Sequence, residues 1–202
     1  MQLYFVPTSP YARKVKVLIL ETGLEGRIEY VFARPSDTDH DLKARNPLGK
    51  IPALIADDGM VIYDSPVICE YLDDQHDGAK LFPPSGPARW LALRQQATAD
   101  GILDAALLRR SEELRREERQ SKGWIAHQAA AMHRALQALN TEVDSLGAVL
   151  TIGQISIGCA LGYLDFRFPD DDWRHLAPDL SDWYAGFSQR PSMSATVPSD
   201  AA

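Results

Sequence analysis

Three short runs in this 202-residue sequence carry side chains suited to holding a small charged ligand. In the first, Thr8 and Ser9 stand directly before Pro10. Proline suits the first position of a helix, where its missing N–H is no loss, and a hydroxyl before it is a good N-cap. The partial positive charge of a helix N-terminus would favour an anion beside that hydroxyl. Capping the helix is the purely structural use of the same group. In the second run, Asp64-Ser65-Pro66, a carboxylate precedes the hydroxyl and the proline. The helix start would hold a carboxylate and Asp64 would attract an ammonium, which is the chemistry of an amino-acid head group. An ordinary cap with an acid beside it accounts for the same residues. The third run is Asn46-Pro47-Leu48-Gly49-Lys50-Ile51-Pro52. If the Ile51–Pro52 bond is cis, the Ile51 backbone turns outward and can pair with an extended peptide ligand. Strand ends also accept proline without any function.

The elements that must position these runs follow from hydrophobic patterning. Leu3 to Val6 is a strand candidate, and Ser9-Pro10 opens a helix carrying Val15, Val17, Leu18, Ile19 and Leu20 that Gly23 stops. Ile28 to Phe32 is a second strand, parallel to the first because a helix separates them. A short helix is expected over 39–45. Two apolar runs, 51–55 and 60–62, flank Asp57-Asp58-Gly59, so the acidic pair belongs to a hairpin turn and not to acid–base chemistry. Ser65-Pro66 repeats the cap and proline logic and opens a helix to about Leu72. After the breaker-rich stretch Leu81 to Pro87, helical periodicity is expected over 88–120, 123–143, 152–168 and 179–189. Thr151 and Gln154 fit a capping box, with Leu150 and Ile155 as its staple, at the head of a helix apolar on nearly every side. That helix should run through the centre of the helical part. The tail from Ser192 is expected to be loosely ordered.

Composition narrows the function classes. A formal charge of −7 argues against nucleic-acid or anionic-membrane partners, which need clustered Lys and Arg. Arg109, Arg110, Arg115, Arg116 and Arg119 alternate with Glu112, Glu113, Glu117 and Glu118, the pattern of a solvated helix face. No apolar stretch is long enough to span a bilayer and the N-terminus lacks a signal-peptide pattern, so a cytoplasmic protein is expected. Cys69 and Cys159 fall in separate helices as core residues, and the five histidines form no ligand cluster, so no metal is expected.

Ser9-Pro10-Tyr11-Ala12 resembles the Cys-Pro-Tyr-Cys run of glutaredoxin-like proteins, with Ser9 and Ala12 in place of the cysteines. The thiol would then arrive with the ligand, and dithiol disulfide reduction is not expected. The Asn46–Pro52 run resembles the cis-proline approach of thioredoxin-fold proteins. Taken in order, and with Gly158 to Arg167 similar to the central helix of bacterial members, the three runs resemble the glutathione transferase family over nearly the whole chain, closest to its serine-type bacterial members.

That resemblance implies an α/β plus all-α protein: a thioredoxin-like βαβαββα domain over 1–78, a linker over 79–87, and an all-helical domain over 88–202. It implies a cytoplasmic homodimer acting in detoxification, with glutathione as co-substrate and a small-molecule electrophile as partner. Ser9, with Thr8 as the competing hydroxyl, would meet the sulfur. Lys50 would take the glycine carboxylate, Ile51 before Pro52 the cysteinyl backbone, and Asp64 with Ser65 the γ-glutamyl group. Tyr11, Ile102, Leu103 and Leu107 are candidates for an apolar electrophile site, with core packing the other use of the leucines. Asp64 stands where the family usually has Glu, and Gln154 where it usually has Asp. A glutathione-dependent isomerase and a non-catalytic carrier on the same fold are the alternatives.

Overall fold

The computed structural model describes residues 1–34, 36 and 41–200. Strand β1 (Gln2–Phe5) leads into helix α1 (Pro10–Thr22), and strand β2 (Glu29–Phe32) returns parallel to β1. Helix α2 (Leu42–Arg45) follows; Asp39 and His40, included in the expected helix, lie outside the described residues. Strands β3 (Ala53–Ile55) and β4 (Val61–Ile62) form the expected hairpin, and helix α3 (Ser65–Asp74) closes the unit. Gly59 turns the hairpin with φ +86°, while Asp58 accepts the Met60 N–H at 2.9 Å. The sheet order is β2-β1-β3-β4, with β3 antiparallel to β1.

Alternation along the strands divides the core. Leu3 and Leu54 face α1 and α3 in the main cluster, while Tyr4 and Ala53 join Leu42 of α2 on the other side. Helix α1 begins where Ser9 caps it and ends where Gly23 adopts φ +70°, its N–H returning to the last turn.

Among the described residues six further α-helices build most of the remainder: α4 (Gly86–Glu113), α5 (Lys122–Thr141), α6 (Ile152–Arg167), α7 (Trp173–Leu176), α8 (Pro178–Phe187) and α9 (Pro191–Ser194). The expected break at Pro87 falls inside α4, because a proline in the first turn does not interrupt a helix. Every residue of α6 from Ile152 to Leu164 is buried. Gly158 lets Phe187 pack directly on its backbone; a Cβ there would lie 2.6 Å from the ring. At the head of α6, Gln154 Oε1 accepts the Thr151 N–H at 2.7 Å and Leu81 accepts the Ile152 N–H at 2.9 Å.

The expectation of a loose tail from Ser192 is overturned. Ser192, Met193 and Thr196 are buried, Arg13 donates to Met193 O at 3.1 Å and Thr196 Oγ1 at 3.3 Å, and Arg190 pairs with Glu21 at 2.8 Å. These bonds cross more than 160 residues of sequence, so local composition carried no sign of them. Cys69 and Cys159 are fully buried, and burial pushes their thiols up to about 12 and about 11.

Candidate functional site

A single open cleft of about 860 Å³ brings together all three runs and one side of α4. Val6, Thr8, Ser9, Pro10 and Tyr11 line it from the β1–α1 junction, Asn46, Leu48, Lys50, Ile51 and Pro52 from the segment before β3, and Asp64, Ser65 and Pro66 from the start of α3.

Ser9 caps α1 by accepting the Ala12 N–H at 3.2 Å. An N-cap uses an oxygen lone pair, so the Ser9 hydroxyl proton remains available to donate into the cleft. Thr8 lines the same space one residue earlier. The Ile51–Pro52 bond is cis. Asn46 shapes its approach: nearly fully buried, it donates to Lys50 O at 2.8 Å and accepts the Leu48 N–H at 3.0 Å. Gly49 completes that turn at φ +61°, and Lys50 stands exposed on the rim.

Helix α3 starts one residue earlier than expected: Ser65 is its first residue and Asp64 occupies the N-cap position. The Asp64 carboxylate makes no capping bond, which leaves it free to face a ligand beside the buried Ser65.

The helical period sorts the residues of α4. Asp100, Asp104, Leu107, Leu108 and Ser111 recur at spacings of about one turn and share the face that lines the cleft. Ile102 and Leu103, expected beside the electrophile, are instead enclosed in the core at 1% exposure each. Ile102 points to the opposite side of α4 from the cleft, while Leu103, at the edge of the lining face, is covered by its core neighbours. Of the expected apolar set, Tyr11 and Leu107 reach the cleft. The Tyr11 hydroxyl donates to Asp104, and burial together with that carboxylate pushes the phenol well above its ordinary value.

Asp100, Arg110, Tyr163 and Arg167 line the cleft without having been anticipated, and Asp100 is held from the core side. Lys14, 1% exposed, holds both oxygens of Asp100 at 2.7 and 2.8 Å. Burial raises the Asp100 carboxyl, Asp104 and Asp64 add to the rise, and Lys14 opposes it. Arg109 and Arg110 depart from the solvated-face reading of their run: Arg115 forms a surface pair with Glu112 at 3.0 Å, but Arg109, 14% exposed, reaches Asp171 at 3.1 Å as well as Glu113 at 2.7 Å, and Arg110 lines the cleft with Tyr163 and Arg167 of α6. The helix also stops at Glu113, so Arg115 to Arg119 are not on it. Among the described residues, no group of three or more His, Cys, Asp or Glu is arranged to hold a metal, and no helix is long and apolar enough to cross a membrane.

Residues 8–75 match the glutathione S-transferase N-terminal domain and residues 122–186 the glutathione S-transferase C-terminal domain. The uncharacterized GST-like protein YibF of Escherichia coli (strain K12) is 33% identical over 202 residues, 98% of each chain. A glutathione transferase family member from Pseudomonas fluorescens Pf-5, crystallised with bound glutathione, is 48% identical with a TM-score of 0.94 over 98% of both chains. A structure of a Pseudomonas fluorescens Pf-5 family member with bound S-(propanoic acid)-glutathione is 47% identical, with a TM-score of 0.90 over 98% of this chain and 100% of that one.

Proposed function

The chain belongs to the glutathione S-transferase family, and on that premise we propose that it binds glutathione, ionises its thiol and adds the thiolate to an electrophilic small molecule. The observation that carries this reading is the convergence on one cleft of the capped N-terminus of α1, the Lys50–Pro52 segment and the Asp64–Ser65 start of α3. Glutathione in the Pseudomonas fluorescens neighbour, at 48% identity, supports the same ligand. The division into a glutathione-binding domain over 1–78, a linker over 79–87 and a helical domain over 88–202 is part of the proposal.

In this reading Lys50 pairs with the glycine carboxylate, the Ile51 backbone with the cysteinyl unit, and Asp64 with Ser65 hold the ammonium and carboxylate of the γ-glutamyl group. Ser9 donates its proton in a hydrogen bond to the thiolate, with no transfer of that proton. A cysteine-type thiol has a pKa near ~8.5, and lowering it to ~6.5 needs about 2.7 kcal/mol of preferential stabilisation. A hydrogen bond to a charged group supplies roughly 1.5–3 kcal/mol and a helix N-terminus about 0.3–1, so the two together suffice without a histidine. The second substrate lies beyond the sulfur against Leu107 and its neighbours on α4.

The same proposal includes a cytoplasmic homodimer. Met60 before β4, Val67 of α3 and Trp90 of α4 are 49%, 51% and 67% exposed, apolar surface of the kind a partner subunit covers. Calorimetric titration with glutathione, followed by turnover of aryl halides, epoxides and unsaturated carbonyls, tests the reading. Binding with conjugate formation is expected; binding without any turnover makes the protein a carrier.

A further inference from the structure

The cleft beyond Ser9 is not uniformly apolar. Leu107, Leu108 and Leu114 form one wall, yet Arg110 and Arg167 line the same space. They are unusual there, because the chain as a whole carries a charge of −7 and the other end of the cleft holds Asp64, Asp100 and Asp104. The Arg110 side chain makes no hydrogen bond or ion pair at bonding distance among the described residues, and its charge joins that of Arg167 in lowering the Asp200 carboxyl. Arg167 already grips a carboxylate in two-pronged fashion, its terminal nitrogens donating to Asp200 at 2.9 and 2.8 Å. The two members of that pair differ in how firmly they are held. Arg167 is 13% exposed and lies 3.7 Å over the Phe166 ring, whereas Asp200 is 68% exposed. The cation is the fixed part of the site and the acid the exchangeable one.

We propose that the electrophile is an amphiphilic organic anion, whose apolar body packs on the α4 leucines and whose carboxylate pairs with Arg110 and Arg167, replacing Asp200 on the latter. This specificity rests on the glutathione reading and names the class of second substrate. A guanidinium offers parallel donors that match a carboxylate, and a half-enclosed setting makes the pair stronger than one at a fully wetted surface. A neutral electrophile of equal shape would fill the apolar wall and leave Arg110 unpaired.

A matched pair of ligands tests the class. When glutathione attacks 4-chloro-3-nitrobenzoate, the sulfur forms a bond to the chlorine-bearing ring carbon. Chloride then leaves with the C–Cl electron pair, and the thiol proton passes to solvent. The product, S-(4-carboxy-2-nitrophenyl)glutathione, and its analogue methylated at the aryl carboxyl alone share the same body and differ by the negative charge and one methyl group, and calorimetric titration of each needs no turnover. The wild-type protein is expected to bind the acid about tenfold more tightly than the ester. Arg110→Gln and Arg167→Gln should each bring that ratio to about threefold or less, with the affinity for unmodified glutathione kept within about twofold. Equal affinity for acid and ester in the wild-type protein overturns the proposal, as does a ratio that both substitutions leave intact. Failure to bind glutathione and both conjugates is a different result: it overturns the glutathione reading itself and takes this inference with it.

Discussion

The ammonium of Lys14 lies 2.7 and 2.8 Å from the two oxygens of Asp100, joining a lysine enclosed in the core to a carboxylate that lines the cleft. Lys14→Met leaves that carboxylate unpaired and is expected to destabilise the fold by about 3 kcal/mol at pH 8. The sign of the pH dependence follows from Asp100, whose pKa burial already raises and loss of Lys14 raises further. A carboxyl titrating higher in the folded chain binds more protons there, so stability falls as pH rises from about 4 through the folded pKa. The deficit should therefore be smaller at pH 5 than at pH 8, and a Lys14→Met, Asp100→Leu double variant should recover more than half of it. Urea midpoints measure both; an equal deficit at the two pH values, or no recovery, would contradict the pairing.

Tyr11 carries a third hydroxyl near the start of α1, after those of Thr8 and Ser9, and its proton is already engaged by Asp104. Its phenol is held far above the ordinary value, so it does not ionise near neutrality. Tyr11→Phe is expected to cost about 1 kcal/mol of stability through the lost bond. The thiol pKa of bound glutathione should stay within about 0.3 of the wild-type value, since the phenol proton is given to Asp104 and not to the ligand. A rise of a full unit in that titration would make Tyr11 the activating donor.

Glu21 fastens the C-terminal segment by accepting from Arg190 at 2.9 and 2.8 Å and from the Ser192 hydroxyl. Arg190 lowers the Glu21 pKa most, burial opposes it, and Ser192 lowers it further. A depressed folded pKa contributes stability above the unfolded value, and that contribution is lost as pH falls through the folded pKa. Glu21→Gln is thus expected to lower stability by about 1–2 kcal/mol at pH 7, with the difference shrinking towards pH 3. Denaturant midpoints that differ by the same amount at both pH values would contradict the assignment.

What was legible in the sequence was local. Ser9-Pro10 and Gly23 bracket α1 because caps and left-handed glycines act over a few residues, and Asp57-Asp58-Gly59 encodes its turn in the same way. Asp64 against Ser65 shows the limit: cap preference alone does not decide which of two adjacent capping residues the helix takes. Features made by distant partners were not legible. Arg110 and Arg167 meet at one cleft from positions 57 residues apart on two helices, and Arg110 sat in a charge run in which Arg115 does form a surface pair with Glu112. Ile102 and Leu103 were misplaced because an apolar residue on a long helix suits a core or a pocket equally, and the direction of the face together with what packs over it decides.

In the proposed reaction Ser9, through the hydroxyl proton its cap leaves free, stabilises the thiolate of bound glutathione. Ser9→Ala is expected to lower kcat/KM roughly 10–100-fold, equivalent to about 1.4–2.7 kcal/mol, while glutathione affinity falls much less. Because the alanine also removes a helix cap, stability is not the deciding readout. The most direct measurement is the ultraviolet absorbance of the thiolate in the glutathione complex against pH, for the wild-type protein, Ser9→Ala and Thr8→Ala. The thiol pKa is expected to rise by about one to two in Ser9→Ala and to stay near the wild-type value in Thr8→Ala. An unchanged titration in Ser9→Ala with a large rise in Thr8→Ala would contradict it and move the role to Thr8.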